Sequence, residues 1–176
     1  ESKRLTRLLD EILDLSFLES GQVKLNISNS SLNEILQTAL QSTQQSIANS
    51  NALLEFDVNF TNTKIQTDPD RLSQVFINLI TNAVKYNDKS QPTLKISCQK
   101  DNEFLCVSFQ DNGPGIPEAK HTIIFEKFTR LSNTENSSGV GLGLAISQEI
   151  MKNLGGSLIC LESKLGANFQ VKIPLN

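Results

Sequence analysis

Asn78, Asn82 and Lys85 are the first residues in this chain whose types and spacing could do chemistry. Steps of four and three place them on one face of a predicted helix, with Tyr86 beside Lys85. The rest of that helix is apolar, with Leu72, Val75, Phe76, Leu79, Ile80 and Ala83 forming its core stripe. Two amides on such a stripe need partners, because a buried unpaired amide costs ~1–3 kcal/mol. Carboxamide oxygens and an ammonium suit a hydrated magnesium ion and the phosphates it bridges. Capping of neighbouring backbone, or exposure to solvent, would also account for them.

Two glycine-rich stretches offer further chemistry. Residues 111–117 read DNGPGIP and directly follow a predicted strand. Asp111 at the strand end could accept from an exocyclic amine on a flat ligand, with Gly113 and Gly115 admitting that ligand close to the main chain. The same DxGxG pattern also serves as an ordinary turn. Residues 139–146 read GVGLGLAI, with Gly139, Gly141 and Gly143 opening a predicted helix. Backbone N–H groups at a helix start form an anion site. Leu144 stands where a dinucleotide fingerprint needs its last glycine, and the GxxxxGK[ST] phosphate loop is missing too. The HRD and DFG signatures of eukaryotic-type protein kinases are also absent.

Hydropathy patterns define the elements that must position these residues. Residues 1–20 form an amphipathic helix with Leu5, Leu8, Ile12 and Leu15 on one stripe, stopped near Gly21 and able to join a bundle or self-associate. VKLNIS (23–28) alternates as a strand. Ser31 caps a helix running to about Asn49. LLEFDVNF (53–60) and Lys64–Gln66 are strands, and Asp68-Pro69 opens the asparagine helix, 68–88. Residues 93–100 and 104–111 form a hairpin. An irregular region spans Asn112 to about Ser138, of a length that usually carries function. A helix over Val140–Leu154 ends at Gly155-Gly156, and strands 157–163 and 167–174 turn at Lys164–Gly166. The expected fold class is α+β: a two-layer α/β sandwich with a mixed, mostly antiparallel sheet and helices on one face.

Bulk composition narrows the function classes. Hydrophobic content of 38% and charged content of 20% describe a globular protein with a real core. A net charge of -3 argues against a nucleic-acid partner. The three cysteines lack CxxC spacing and the single histidine is His121, so a zinc site is not expected. Reduced cysteines and the absence of a long apolar run point to a cytoplasmic location. Opening at Glu1 within a helical pattern suggests a fragment with room for a membrane anchor upstream.

In this order and spacing, NLITNAVKYN, DNGPGIP, FEKFTRL and GVGLGLAI resemble the N, G1, F and G2 boxes of bacterial-type sensor histidine kinases. The resemblance covers 68–146 in its motifs and nearly the whole chain in its pattern. It implies the Bergerat ATP-binding fold of the GHKL group, with ATP and Mg2+ as cofactors. RLLDEILDLSFLESG resembles the end of the second dimerisation helix, which implies a boundary between a bundle segment, 1–21, and a catalytic domain, 22–176.

Carried over by residue, the resemblance makes Asn82 the magnesium ligand and sets Asn78 beside it on the phosphate side. Lys85 and Tyr86 contact phosphate and nucleotide, and Asp111 accepts from the adenine amine. Gly113, Gly115, Ile116, Phe128, Gly139, Gly141, Leu142, Gly143 and Leu144 lie against the nucleotide. Phe125 and Phe128 anchor a lid, and Arg130 reaches the γ-phosphate, so Asn78, Lys85 and Arg130 form the catalytic set.

Gyrase B, mismatch-repair and heat-shock ATPases are similar but carry a water-activating glutamate where this chain has Asn78. An amide is no general base, which favours a kinase over a hydrolase. His121 is followed by threonine and does not match the family's acceptor, so the accepting histidine is expected outside this sequence, with a response regulator as the onward partner. His121 itself is expected to be an exposed lid residue. The alternative is a serine kinase of the anti-sigma type, or a regulatory ATP-binding domain, on the same fold.

Overall fold

The computed structural model describes residues 1–57, 62–131 and 139–175. Its helices are α1 (Ser2–Glu19), α2 (Leu32–Asn49), α3 (Pro69–Lys85) and α4 (Gly143–Asn153). Its strands are β1 (Ser28–Ser31), β2 (Leu53–Phe56), β3 (Lys64–Thr67), β4 (Thr93–Lys100), β5 (Phe104–Asp111), β6 (Ser157–Leu161) and β7 (Asn168–Pro174).

Local chemistry starts α2 and α3 where the sequence suggests. The Ser31 hydroxyl accepts from the Glu34 N–H at 3.4 Å and caps α2. Buried Asp68 caps α3 more fully, since its Oδ1 accepts from the N–H groups of Asp70 and Arg71, both at 3.1 Å. Pro69 occupies the first turn of α3, where its missing donor costs nothing.

Five of the described strands form a sheet in the order β2-β4-β5-β7-β6. The β2–β4 pair is parallel and the other pairs are antiparallel. Register lines up Ile96, Phe109 and Phe169 on one face, and Leu158, Val171 and Val107 beside them. All six are buried, as the alternation of β4, β5 and β7 requires. Helices cover this face. Fully buried Phe76 on α3 meets Phe109 with ring centroids 5.2 Å apart. The sheet face that carries Lys95, Gln99, Gln170 and Lys172 is polar. This is the expected two-layer α/β sandwich.

Three expectations on element bounds are corrected. Residues 23–27 form no strand; β1 begins at Ser28 and pairs antiparallel with β3 as a separate ribbon. The physical reason is that the Asn26 N–H donates to Asp68 Oδ2 at 2.9 Å, a side-chain bond in place of a ladder bond. The helix expected from Val140 starts at Gly143, because Gly141 has φ +80, a left-handed conformation that no right-handed helix contains. The strand expected over 53–60 is β2, ending at Phe56, and positions 58–60 fall outside the described residues.

The first helix divides along its length. Leu15 and Leu18 belong to the same core as the sheet, whereas Leu5, Leu9, Ile12, Leu13 and Phe17 are exposed. Two ion pairs hold the docked end, Arg71–Asp14 at 2.9 Å and Lys127–Glu19 at 2.7 Å.

Candidate active site

The site is built around the C-terminal half of α3. Asn82 and Asn78 are half-buried on the same helix, while Lys85 and Tyr86 are exposed at its end. The Lys85 ammonium lies 5.1 Å from the Tyr86 ring centroid, within cation–π range. The side-chain amide of Asn82 has no hydrogen-bond partner among the described residues. A half-buried neutral oxygen donor left open in this way fits one coordination position on magnesium, with phosphate and water supplying the others.

Asn78 is engaged differently. Its Nδ2 donates to the buried Ser147 hydroxyl on α4 at 3.0 Å, and its Oδ1 lies against Gly143, where an added Cβ would collide with it. The residue therefore joins α3 to the start of α4. The partner, Ser147, was not anticipated; its only sequence signal is a serine four residues after Gly143 on the apolar helix face.

The second glycine stretch packs over the same helix end. A Cβ on Gly139 would sit 2.8 Å from Lys85 Nζ and 3.7 Å from the Tyr86 hydroxyl. A Cβ on Gly141 would sit 2.7 Å from the Thr129 carbonyl oxygen, and the Gly141 carbonyl accepts from the Phe128 N–H at 2.9 Å. The segment that follows Phe125 is thus tied to Gly141 through backbone. Phe125 is buried edge-on against Phe169, as an anchor should be. Phe128 anchors only by its main chain, since its ring is 57% exposed and its φ is +63. Leu142 is 1% exposed, so its side chain supports the site from the core and leaves only backbone for a ligand. Ile116 and Leu144 pack half-buried against that core, and Arg130 is exposed. The expected lid residues at 132–138 lie outside the described residues.

Asp111 closes the other side. Its Oδ1 accepts from the Gly113 N–H at 2.8 Å and the Ala167 N–H at 3.0 Å. Its Oδ2 has no partner among the described residues, leaving an acceptor available. Burial pushes the Asp111 carboxyl above the usual range, with the two N–H groups opposing and Asp88 adding to the rise. Gly113 lies beside the Tyr86 carbonyl and Asn87, which brings the first glycine stretch onto the end of α3. Gly166 and Ala167 were not anticipated as site residues. Gly166 has φ +64, and a Cβ there would collide with the Asp111 carbonyl; the hairpin-turn glycine was the only hint.

His121 is half-buried, and its Nε2 donates to the Ile116 carbonyl at 2.8 Å. It staples its own loop instead of standing free. Among the described residues no cluster of three His, Cys, Asp or Glu side chains could hold a metal. A pocket of about 320 Å³ between α1 and α4, lined by Leu15, Glu19, Phe125 and Gln148, includes the expected lid anchor Phe125 but none of the residues expected to touch nucleotide or metal.

The family model described as histidine kinase-, DNA gyrase B- and HSP90-like ATPase matches residues 67–176, more than half of the chain. The chain belongs to this family. Among curated proteins it is 32% identical to the circadian input-output histidine kinase CikA of Synechococcus elongatus, over 98% of the chain and 23% of that protein. It is 33% identical to the sensor protein KdpD of Escherichia coli, over 96% of the chain and 19% of that protein. The chain thus spans about a quarter or less of these curated relatives. Among solved structures, the histidine kinase AdeS of Acinetobacter baumannii aligns with a TM-score of 0.81 at 27% identity, covering 99% of this chain and 80% of that one. The histidine kinase ThkA, solved in complex with the response regulator protein TrrA, aligns with a TM-score of 0.79 at 25% identity, over 99% of this chain and 49% of that one. The chain is homologous to the catalytic, ATP-binding domains of sensor histidine kinases.

Proposed function

We propose that this domain transfers the γ-phosphoryl group of ATP to a histidine outside the sequence, for relay to the aspartate of a response regulator. Residues 1–21 are then the end of a dimerising bundle helix and 22–176 the catalytic domain. The exposed stripe of α1 is available to pair with a second copy in a bundle. No described helix is long and apolar enough to cross a membrane, and the proposed setting is the cytoplasm.

The observation that carries the reading is the half-satisfied carboxylate of Asp111, one oxygen held by two N–H groups and the other open. An exocyclic adenine amine is a donor that such an acceptor can select. Gly113 and Gly115 let the base approach, and the Gly139–Gly143 segment offers N–H groups to phosphate at the start of α4. Asn82 would hold magnesium, which when bound neutralises charge on the phosphates it bridges. Lys85 supplies a second positive charge, and Arg130 would meet the moving phosphoryl group.

Phosphoryl transfer asks mainly for positioning and charge neutralisation. The hydrolytic relatives' glutamate is replaced by Asn78, whose amide is spent on Ser147 and cannot take a proton from water. The phosphoryl group therefore waits for an imidazole.

The test mixes the chain with γ-labelled Mg-ATP and a separate histidine-bearing helical domain. Acid-labile label is expected on the added domain, with a loss of about a hundredfold or more for Asn82→Ala, the scale of removing one preorganised charge contact. Label on serine, or rapid phosphate release without transfer, would overturn the histidine-kinase reading.

A further inference from the structure

Asp111 and Asn82 sit on separate elements, a strand end and a helix, and some contact must set the spacing between them. We propose that Asn112 is that positioning residue, clamping the base-recognising strand end to the phosphate-holding end of α3. The inference rests on the nucleotide reading above.

Both ends of the Asn112 amide are engaged. Its Oδ1 accepts from Asn87 Nδ2 at 2.8 Å and from the Thr93 N–H at 2.8 Å. Its Nδ2 donates to the Gln91 carbonyl at 3.2 Å. Asn87 follows Tyr86 directly, and its own Oδ1 accepts from the Lys89 N–H at 2.9 Å. One amide thus ties the residue after Asp111 to the residue after Tyr86, and also grips the loop leading into β4. Its carboxamide supplies both an acceptor and a donor in one plane; an ionised carboxylate would lose the donor.

Phe76 on α3 packs against Phe109 on β5 and joins the two halves in the core; toward the site, each half has hydrogen bonds of its own. Asp111 exchanges backbone and side-chain bonds with Ala167, and its Oδ1 also takes the Gly113 N–H. Asn82 is fixed by α3, whose core residues Leu79, Ile80 and Ala83 are buried. Loss of Asn112 therefore leaves each half and their core contact formed but loosens their relative placement at the site. A ligand bridging both halves pays for that freedom, and a ligand touching one half does not.

Dissociation constants for Mg-ATP, adenosine and Mg-tripolyphosphate are measured on the wild-type chain, Asn112→Ala, Asn87→Ala and the double variant. Asn87→Ala removes the bond across the two loops and the exposed Lys89 contact while keeping Asn112 on Thr93 and Gln91, so it serves if Asn112→Ala does not fold. The expected result is Mg-ATP weakened about tenfold, the scale at which misplacement costs binding, with the two half-ligands within about twofold. The double variant should be no weaker than either single one, because both remove one clamp. Equal weakening of all three ligands, or no change in Mg-ATP, overturns the inference while leaving the nucleotide reading intact. A wild-type chain that binds none of the three overturns both.

Discussion

Asp111 carries a cost in the free protein that is of use in the complex. Burial raises its carboxyl above the ordinary value, so the folded chain holds a proton more tightly than the unfolded chain. Its contribution to stability is therefore full below the unfolded value of 3.8 and is lost as pH rises through the raised folded value. Asp111→Asn keeps an oxygen for Gly113 and Ala167 while removing the charge. Ligand-free Asp111→Asn should melt no lower than wild type at pH 7, and any advantage should shrink as the pH is lowered. The same variant should lose adenine-nucleotide binding in titration calorimetry, since an NH2 would face the amine. For the wild type, nucleotide affinity should fall on acidification at a higher pH than an ordinary aspartate would give. The glycines divide just as clearly. Gly139→Ala meets only the flexible end of Lys85, whereas Gly141→Ala meets the Thr129 and Phe128 backbone at a left-handed φ. We expect the first to keep stability within about 0.5 kcal/mol of wild type and the second to lose about 1–3 kcal/mol, both read by thermal melting.

Among the elements, α1 is docked at one end and open at the other. The bidentate pair between Arg71 and Asp14, at 2.9 and 3.0 Å, joins it to α3, and the Asn153 amide donates to the Leu18 carbonyl at 3.2 Å. Amides of the exposed N-terminal turns should exchange with solvent faster than those of Leu15–Glu19. Arg71→Ala should accelerate exchange in the docked end and cost about 1–2 kcal/mol, since the pair is charge-assisted and largely shielded. Unchanged protection at Leu15–Glu19 would show that the Arg71–Asp14 pair does not hold the helix.

Across the full fold, one apolar layer links every element of the site. Phe76 ties α3 to β5, Phe125 ties the loop after the first glycine stretch to β7, and the buried face of α4 packs on the same layer. Cys98 and Cys160 lie in or beside this layer and behave as packing groups, whereas Cys106 pairs with Gln99 and Lys172 on the opposite face. Burial pushes the thiols of Cys98 and Cys160 up to about 11. At pH 7.4 both should alkylate slowly with iodoacetamide in the native state and rapidly in denaturant, as mass spectrometry would register. Because their folded values exceed the ordinary 9.0, stability should decline as pH climbs above 9.0 and these buried thiols resist ionisation.

Read alone, the amino-acid order determined the helices, the core stripe of α3, the caps at Ser31 and Asp68, the β4–β5 hairpin and the four motif boxes. These follow from period, local capping and residue type, all of which act within a few positions along the chain. Folding in three dimensions settled what depends on distant partners. Residues 23–27 alternate like a strand yet form none, because Asn26 spends its N–H on Asp68, 42 residues away. Gly166 and Ala167 join the site only through the β5–β7 pairing that carries them to Asp111. Asn78 turned out to bridge two helices, and Asn112 to bridge two loops. A hydrogen bond between residues far apart in sequence leaves no periodic trace, so only the packed chain reveals which amide meets which neighbour.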